Sequence, residues 1–107
     1  MQTFVMLTRI APGSVGSAQA LEQLERSVME RIRQSCEGVE WRASYAVLGP
    51  WDYVDIFQAP SIDIASKVSA LIRIHGHAET EIWAATEWQH FKDVIRTLSP
   101  AAEARSN

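Results

Sequence analysis

The chain has 107 residues, of which 47% are hydrophobic, and its ten basic and thirteen acidic side chains give a net charge of −3. This length fits one domain, and the lack of a basic tract argues against a nucleic-acid partner. The single cysteine, Cys36, excludes an internal disulfide bond and a multi-cysteine metal site.

The N-terminal sequence "MQTFVMLTRIAPG" lacks the basic residues that precede the apolar run of a signal peptide. No segment of the chain reaches the roughly 20 apolar residues that a membrane-spanning helix needs. We therefore expect a cytoplasmic protein without a membrane partner.

A strand and a long helix are predicted for the first third of the chain. Residues 2–9, "QTFVMLTR", are rich in residues that favour β-structure. Over residues 14–36 the apolar side chains recur at helical spacing, which predicts an amphipathic helix that covers one face of a sheet. Gly38 suits the end of this helix. The apolar positions of the helix are Ala18, Leu21, Leu24, Val28 and Ile32.

Two further strands are predicted to form a hairpin. Residues 39–49, "VEWRASYAVLG", alternate along the strand, which would place Trp41 and Tyr45 on the same face. The turn "GPW" leads into the next strand, residues 52–59, because proline presets the backbone angle of a turn. Pro60 is expected to end that strand.

The rest of the chain predicts a helix, a strand and a last helix. The second helix covers residues 62–74, and the fourth strand covers residues 77–86. Thr86 and Gln89 have the spacing of a capping box, so a third helix is predicted to begin there. Pro100 is expected to end it.

The predicted order of elements is β-α-β-β-α-β with a C-terminal helix, which is the ferredoxin-like arrangement of the α+β class. We assign residues 1–98 to a single domain and residues 99–107 to a C-terminal tail. Two helices on one face of a four-stranded sheet would leave the other face bare and apolar. We therefore expect a homodimer whose sheets pack face to face, with a cavity between sheet and helices or between the two sheets.

Two stretches of the sequence resemble the GYD domain family. "TFVMLTRIAPGSV" is similar to the first strand and loop of that family. "LGPWDYVDIFQAP" resembles its namesake stretch, with Gly49, Trp51 and Asp52 followed by "AP" at the end of the strand. Residues 78–85 are similar to the last strand of the family. The resemblance covers about residues 1–98 and implies a dimeric α/β barrel. It implies no particular reaction, because the family has no established common activity.

The sequence departs from the family pattern at two positions. Trp51 stands where tyrosine is usual, and Asp55 stands where the pattern is apolar. Alternation along the strand puts Asp55 on the face opposite Val54 and Ile56, which are the expected core residues under the helices. Asp55 would then point into the cavity of the dimer.

A carboxylate in that position must be paired, hydrogen-bonded or solvated, because a buried unpaired charge is costly. Asp55 is therefore either a ligand-facing group, an exposed residue, or part of a salt bridge with Arg9, Arg42 or an arginine of the partner subunit. Asp52, beside the turn, is expected to fix the hairpin by accepting backbone hydrogen bonds.

The segment "RIHGHAETEIW" carries a second candidate site. His77, Glu79, Glu81 and Trp83 would share one face of the last strand. His75 and His77 form a His-x-His pair that, with a carboxylate, could bind a divalent metal ion. Acid/base chemistry by His77 is one alternative, and plain surface or helix-capping histidines are the other.

These residues predict a small-molecule-binding protein for a planar or aromatic compound. The resemblance to dimeric α/β barrels, which include isomerases and monooxygenases without cofactors, permits catalysis without specifying it. If the protein is such an enzyme, Asp55 or His77 would be its base. One alternative is a non-catalytic ligand-sensing or assembly module, and another is a metal- or heme-binding protein that uses His75 and His77. The side chains expected to contact the ligand are Trp41, Tyr45, Trp51, Tyr53, Glu79 and Trp83.

Overall fold

The computed structural model describes residues 1–13 and 16–98, which form a four-stranded antiparallel sheet and three helices. Their order confirms the predicted ferredoxin-like α+β fold with a C-terminal helix. The predicted tail, residues 99–107, lies outside the described residues. Within the described part of the chain, no helix has the length and apolarity to span a membrane. In chain order the elements are β1 (Gln2–Ile10), α1 (Ala18–Ser35), β2 (Glu40–Ala46), β3 (Tyr53–Ala59), α2 (Ile62–His75), β4 (Ala78–Ala85) and α3 (Trp88–Ile95).

The sheet has the strand order β2-β3-β1-β4, so that β1 and β3 lie at its centre. Met6 of β1 lies between Asp55 of β3 and Ile82 of β4. Residues directly opposite one another share a face of the sheet. Met6, Asp55 and Ile82 therefore share one face, and this is the face that α1 and α2 cover.

Serine residues fix where α1 and α2 begin. The Ser17 hydroxyl accepts the N–H of Ala20 at 3.1 Å. The Ser61 hydroxyl accepts the N–H of Ile64 at 3.3 Å. Each bond satisfies a backbone donor in the first turn of a helix, and α1 consequently begins at Ala18 rather than at residue 14. The core between sheet and helices consists of Phe4, Met6, Val28, Ile32, Cys36, Phe57, Ala59, Ala65 and Val68.

A bulge between Trp41 and Ala43 interrupts the regular alternation predicted for β2. Trp41 lies opposite Phe57 on the helix-covered face, whereas Tyr45 lies opposite Val54 on the other face. The prediction that Trp41 and Tyr45 share a face was therefore wrong. A bulge adds one residue to a strand, and the side chains beyond it change faces.

The core face of β3 is the reverse of the predicted one. Phe57 is fully buried under the helices, and its ring stacks on Trp41 with 5.2 Å between the ring centroids. Asp55 shares this face, while Val54 and Ile56 lie on the opposite face. The prediction failed because apolar residues occupy both faces of β3, and alternation alone does not tell which face the helices cover.

The face of the sheet away from the helices, which we call the open face, carries apolar side chains at its centre and the charged residues Arg9, Glu79 and Glu81 toward one end. Register places Val5, Val54 and Ile56 on it, each half-buried. Tyr45 and Trp83 also lie on this face, with exposed fractions of 60% and 50%. The predicted bare apolar face is therefore present in the protomer.

No residue of the last helix, α3, is buried, and its backbone lies close to no other helix or strand of the described chain. Its first turn is capped by Glu87, whose carboxylate accepts the N–H of His90 at 3.0 Å. The predicted capping box of Thr86 and Gln89 was wrong, because this carboxylate takes the backbone donor one residue later. The exposed apolar side chains of α3 and the residues just after it are Trp88, Phe91, Val94, Ile95 and Leu98.

Candidate functional site

A cavity of about 380 Å³ lies between α1 and the helix-covered face of the sheet. This volume falls within the range of small-molecule sites in proteins. Side chains of α1 form one wall, and side chains of β1, β2 and β3 form the other. The apolar lining includes Leu21, Leu24, Val28, Met29, Trp41 and Ile72.

Asp55 borders this cavity with one carboxyl oxygen held by the protein. The Ser44 hydroxyl donates to Oδ1 of Asp55 at 2.6 Å. Trp41 Nε1 lies 3.3 Å from the same oxygen and donates to the Ser44 hydroxyl oxygen at 2.9 Å. No described residue donates a hydrogen bond to Oδ2. The carboxyl group is therefore fixed in place, and its second oxygen is left for a ligand.

The surroundings of Asp55 change its acidity. Burial raises the pKa of the Asp55 carboxyl, and the hydrogen bonds from Ser44 and Trp41 lower it in part. A carboxyl group with a raised pKa can hold or release a proton closer to neutral pH. Burial also raises the pKa of the Tyr53 phenol, and neighbouring carboxylates add to this effect. Tyr53 consequently stays a neutral hydrogen-bonding group.

Thr8 contributes a buried hydroxyl group to the cavity. Thr8 is only 6% exposed, and its Oγ1 has no hydrogen-bond partner among the described residues. It lies opposite Tyr53 and diagonally from Asp55 on the same face of the sheet. A buried hydroxyl without a partner costs free energy. A ligand or water molecule that enters the cavity therefore finds a polar group that needs a partner.

The structure brings together four of the predicted site residues. Trp41, Tyr53 and Asp55 border the cavity from the helix-covered face, whereas Tyr45 touches its border from the edge strand, on the open face of the sheet. His77 does not border it: this residue is exposed, precedes β4 and has a positive φ of 50°. The two predicted bases, Asp55 and His77, therefore do not share a site.

Two other predicted residues, Trp51 and Glu79, gather around Arg9. The guanidinium carbon of Arg9 lies 4.6 Å from the ring centre of Trp51, and Nη1 lies 3.1 Å from Oε2 of Glu79. Arg9 Nε also donates to the carbonyl of Pro50 at 2.8 Å. This cluster ties the turn before β3 to β1 and β4, and Trp83 lies outside it on the open face.

Neither arginine that was predicted to pair with Asp55 does so. Arg9 is engaged by the cluster just described. Arg42 Nη2 lies 2.6 Å from a carboxylate oxygen of Glu40 and 2.7 Å from the amide oxygen of Gln58. Pairing of Asp55 with Arg9 or Arg42 was therefore wrong, since Asp55 lies under the helices, and pairing with an arginine of the partner subunit stays a prediction.

Asp52 has the structural role that was predicted for it. Its Oδ2 accepts the N–H of Ile10 at 2.8 Å. Its own N–H donates to the carbonyl of Thr8 at 2.9 Å, and its carbonyl accepts the N–H of Val47 at 3.0 Å. Asp52 therefore joins the hairpin turn to the end of β1.

The described residues contain no group of three or more His, Cys, Asp or Glu side chains that could hold a metal ion. His75 is half-buried at the end of α2, and His77 is exposed just after it. The alternative of a metal- or heme-binding protein therefore gains no support from the geometry.

The sequence matches the family model of the GYD domain over residues 4–95. The chain belongs to the GYD domain family. The family agrees with the resemblance noted in the sequence and with the order of elements in the structure. No curated protein sequence matches the chain.

Solved structures share the fold of this GYD domain. The leucine response regulatory protein LrpA of Mycobacterium tuberculosis has a TM-score of 0.55 and 16% identity, covering 80% of this chain and 51% of that one. FFRP-DM1 has a TM-score of 0.51 and 23% identity, covering 80% of this chain and 100% of that one. The GYD domain thus spans about half the length of LrpA, and these similarities concern the fold alone.

The sequence analysis missed three polar residues of the GYD domain's cavity. Thr8 is a hydroxyl residue inside an apolar strand, and this position could have identified it as a candidate polar residue of the cavity. Ser44 lies opposite Asp55 only because of the bulge in β2, which the sequence does not reveal. Glu25 borders the cavity from α1, but an exposed glutamate on a helix carries no distinguishing signal.

Proposed function

We propose that this GYD domain binds a small planar or aromatic molecule in the cavity between α1 and the sheet. The observation that carries the proposal is the carboxyl group of Asp55, fixed through Oδ1 in a mainly apolar cavity with Oδ2 open to a ligand. A partly buried carboxyl without a cationic partner does not favour folding. Perturbed carboxyl groups in cavities are typical of functional sites.

Proton transfer is the chemistry that Asp55 suits best. Its carboxylate would take a proton from the bound molecule and return it to another atom, as isomerases do. A monooxygenase-like reaction would begin with the same proton removal. The rings of Trp41 and Tyr53 would position a planar compound against the carboxyl. This scheme uses only side chains of the chain itself.

Ligand binding without catalysis is the second candidate, and the position of His77 favours it. With His77 outside the cavity, Asp55 is the only predicted base that remains there. A single carboxyl group is enough to recognise a polar group of a ligand. A ligand-sensing module would need no second acid or base.

A second copy of the chain is the partner that we propose. The open face and α3 both expose apolar side chains, among them Trp83 and Phe91. Monomers of this size rarely expose such surfaces. A symmetric dimer covers the same surface on both copies at once. The face-to-face packing expected from the sequence would bury the open face in this way.

Thermal-shift screening of planar small molecules tests binding in the cavity. A ligand is expected to raise the Tm of the wild-type protein. The variant Leu21→Trp, which fills the cavity from α1, should lose this response. Gln23→Trp, on an exposed position of the same helix, is the matched control and should keep it. A ligand that still stabilises Leu21→Trp would place binding outside the cavity and contradict the proposal.

Hydrogen exchange of the bound ligand separates catalysis from plain binding. Wild-type protein in D2O should exchange a ligand C–H for deuterium, as followed by NMR. Asp55→Asn should slow the exchange by about 100-fold or more, the usual contribution of a general base. Binding without any exchange would support the ligand-sensing module instead.

A further inference from the structure

Among the described residues, acidic side chains border the cavity and basic ones do not. Asp55 and Glu25 border it, and no Lys, Arg or His of the described residues does. Two arginines in the same half of the molecule are engaged elsewhere. Arg9 binds Glu79, and Arg73 donates to Thr80 through its side chain. An anionic group in the cavity would therefore meet negative charge and no cation.

Two polar groups in the cavity lack hydrogen-bond partners among the described residues, and they determine which hydrogen-bonding groups a ligand needs. The hydrogen bonds that described residues donate to Asp55 end on Oδ1 and not on Oδ2, and Thr8 Oγ1 is buried without a partner among the described residues. The two residues are diagonal neighbours on adjacent strands, which separates their backbones by about 7–8 Å. A molecule of one or two rings reaches both groups from the same cavity.

We propose that the ligand is a small, mainly apolar molecule that is uncharged or cationic and that donates an N–H or O–H group to Asp55. This inference rests on the proposed function, since it concerns the ligand of the same cavity. An ionised Asp55 repels anions and accepts such a donor. A protonated Asp55 would instead donate its own O–H group. Carboxylate and phosphate compounds are therefore disfavoured in the cavity while Asp55 is ionised.

Three compounds with one ring system test the inference: naphthalene, 2-naphthol and 2-naphthoate. Each competes at pH 7.5 with N-phenyl-1-naphthylamine, a neutral dye whose fluorescence rises in apolar sites. We expect 2-naphthol to displace the dye best, because it donates an O–H group to Asp55. We expect 2-naphthoate to bind at least about tenfold more weakly than 2-naphthol, since its charge faces Asp55. Equal displacement by 2-naphthoate would overturn the inference.

Variants test whether the difference in affinity between the two compounds arises in the cavity and from the charge of Asp55. Asp55→Asn should reduce the ratio of the affinities of 2-naphthol and 2-naphthoate by about threefold or more. Glu22→Gln removes an exposed charge from α1 and should leave the difference unchanged. An undiminished difference in Asp55→Asn would overturn the inference while leaving cavity binding intact. Dye binding that persists unchanged in Leu21→Trp would instead overturn the proposed function, and the inference with it.

Discussion

The carboxyl group of Asp55 combines two environments that usually exclude each other. Ser44 and Trp41 hold its Oδ1, as a structural carboxylate would be held. The residue also borders a mainly apolar cavity that no Lys, Arg or His of the described chain lines. Burial therefore disfavours the ionised form, and the folded protein binds the Asp55 proton more tightly than the unfolded chain does.

This difference predicts how stability depends on pH. Because the folded-state pKa of Asp55 is raised above the ordinary value of 3.8, its contribution to the free energy of unfolding falls as pH rises from that value through the raised pKa. Asp55→Asn keeps the shape and an acceptor but removes the charge. We expect it to be more stable than wild type at pH 7, by about 1 kcal/mol or less, and similar near pH 3.5.

Urea unfolding at both pH values measures the effect of Asp55→Asn, with Glu22→Gln as an exposed-charge control. A loss of stability at pH 7 in Asp55→Asn would show that the carboxylate supports the fold. It would then argue against the functional explanation of Asp55.

The hydroxyl group of Thr8 allows a matched comparison with Thr80, its neighbour across β1 and β4. Thr8→Val replaces an unpaired buried hydroxyl with a methyl group, so we expect the free energy of unfolding to rise by roughly 0.5–1 kcal/mol. Thr80 Oγ1 lies 2.6 Å from the Ser69 hydroxyl and accepts from Arg73 Nε at 3.0 Å. Thr80→Val should therefore lower the free energy of unfolding by about 1–3 kcal/mol. Similar losses in both variants, measured by urea unfolding, would show that Thr8 is satisfied in solution.

At the scale of the elements, the turn between β2 and β3 is joined to β1 through Asp52 and through Arg9. Asp52 bonds to Ile10 through its side chain and to Thr8 through its backbone. The Arg9 cluster holds Trp51 of the same turn. These contacts help to fix the register of β3 relative to β1, and so the position of Asp55 along the sheet.

Removal of the Asp52 side chain should therefore loosen this turn. We expect Asp52→Ala to lower the free energy of unfolding by about 1 kcal/mol, because it leaves the N–H of Ile10 without its acceptor. Asp52→Asn keeps an oxygen in that position and should recover most of the loss. Equal stability of Asp52→Ala and wild type in chemical denaturation would mean that the turn is fixed by other contacts.

The sequence was sufficient to predict the order and type of all seven elements, because their apolar periods and breakers are distinct. It was not sufficient for the faces of β2 and β3. The bulge after Trp41 adds a residue without a local sequence signal, and Val54, Ile56 and Phe57 make both faces of β3 apolar. The position of Asp55 under the helices therefore depends on tertiary packing, which periodicity does not encode.

At the scale of the whole molecule, α3 behaves as an element without a partner in its own protomer. None of its residues is buried in the described chain, and Trp88 and Phe91 stack on each other at its surface with 5.5 Å between their ring centroids. The open face of the sheet is likewise uncovered. A free protomer would present both apolar surfaces to water, which is unfavourable.

A charge on α3 tests the proposed homodimer. We expect light scattering of the wild-type protein at micromolar concentration to give twice the mass of the chain. Phe91→Glu should shift the mass toward the monomer without disturbing the protomer, since Phe91 is exposed and no residue of α3 is buried in the described chain. Gln89→Glu, which adds the same charge on the same helix, is the control and should remain a dimer. A monomeric wild-type protein would remove the basis for the dimer.

The buried thiol of Cys36 offers a way to find the ligand before its chemistry is known. Cys36 is the single cysteine of the chain, is 3% exposed and closes the end of α1, the helix that forms one wall of the cavity. A maleimide reagent can modify it only when this helix end opens. A compound that binds between α1 and the sheet would slow that modification. The rate at which the Cys36 thiol is labelled therefore reports occupancy of the cavity, whether or not the protein transforms the compound.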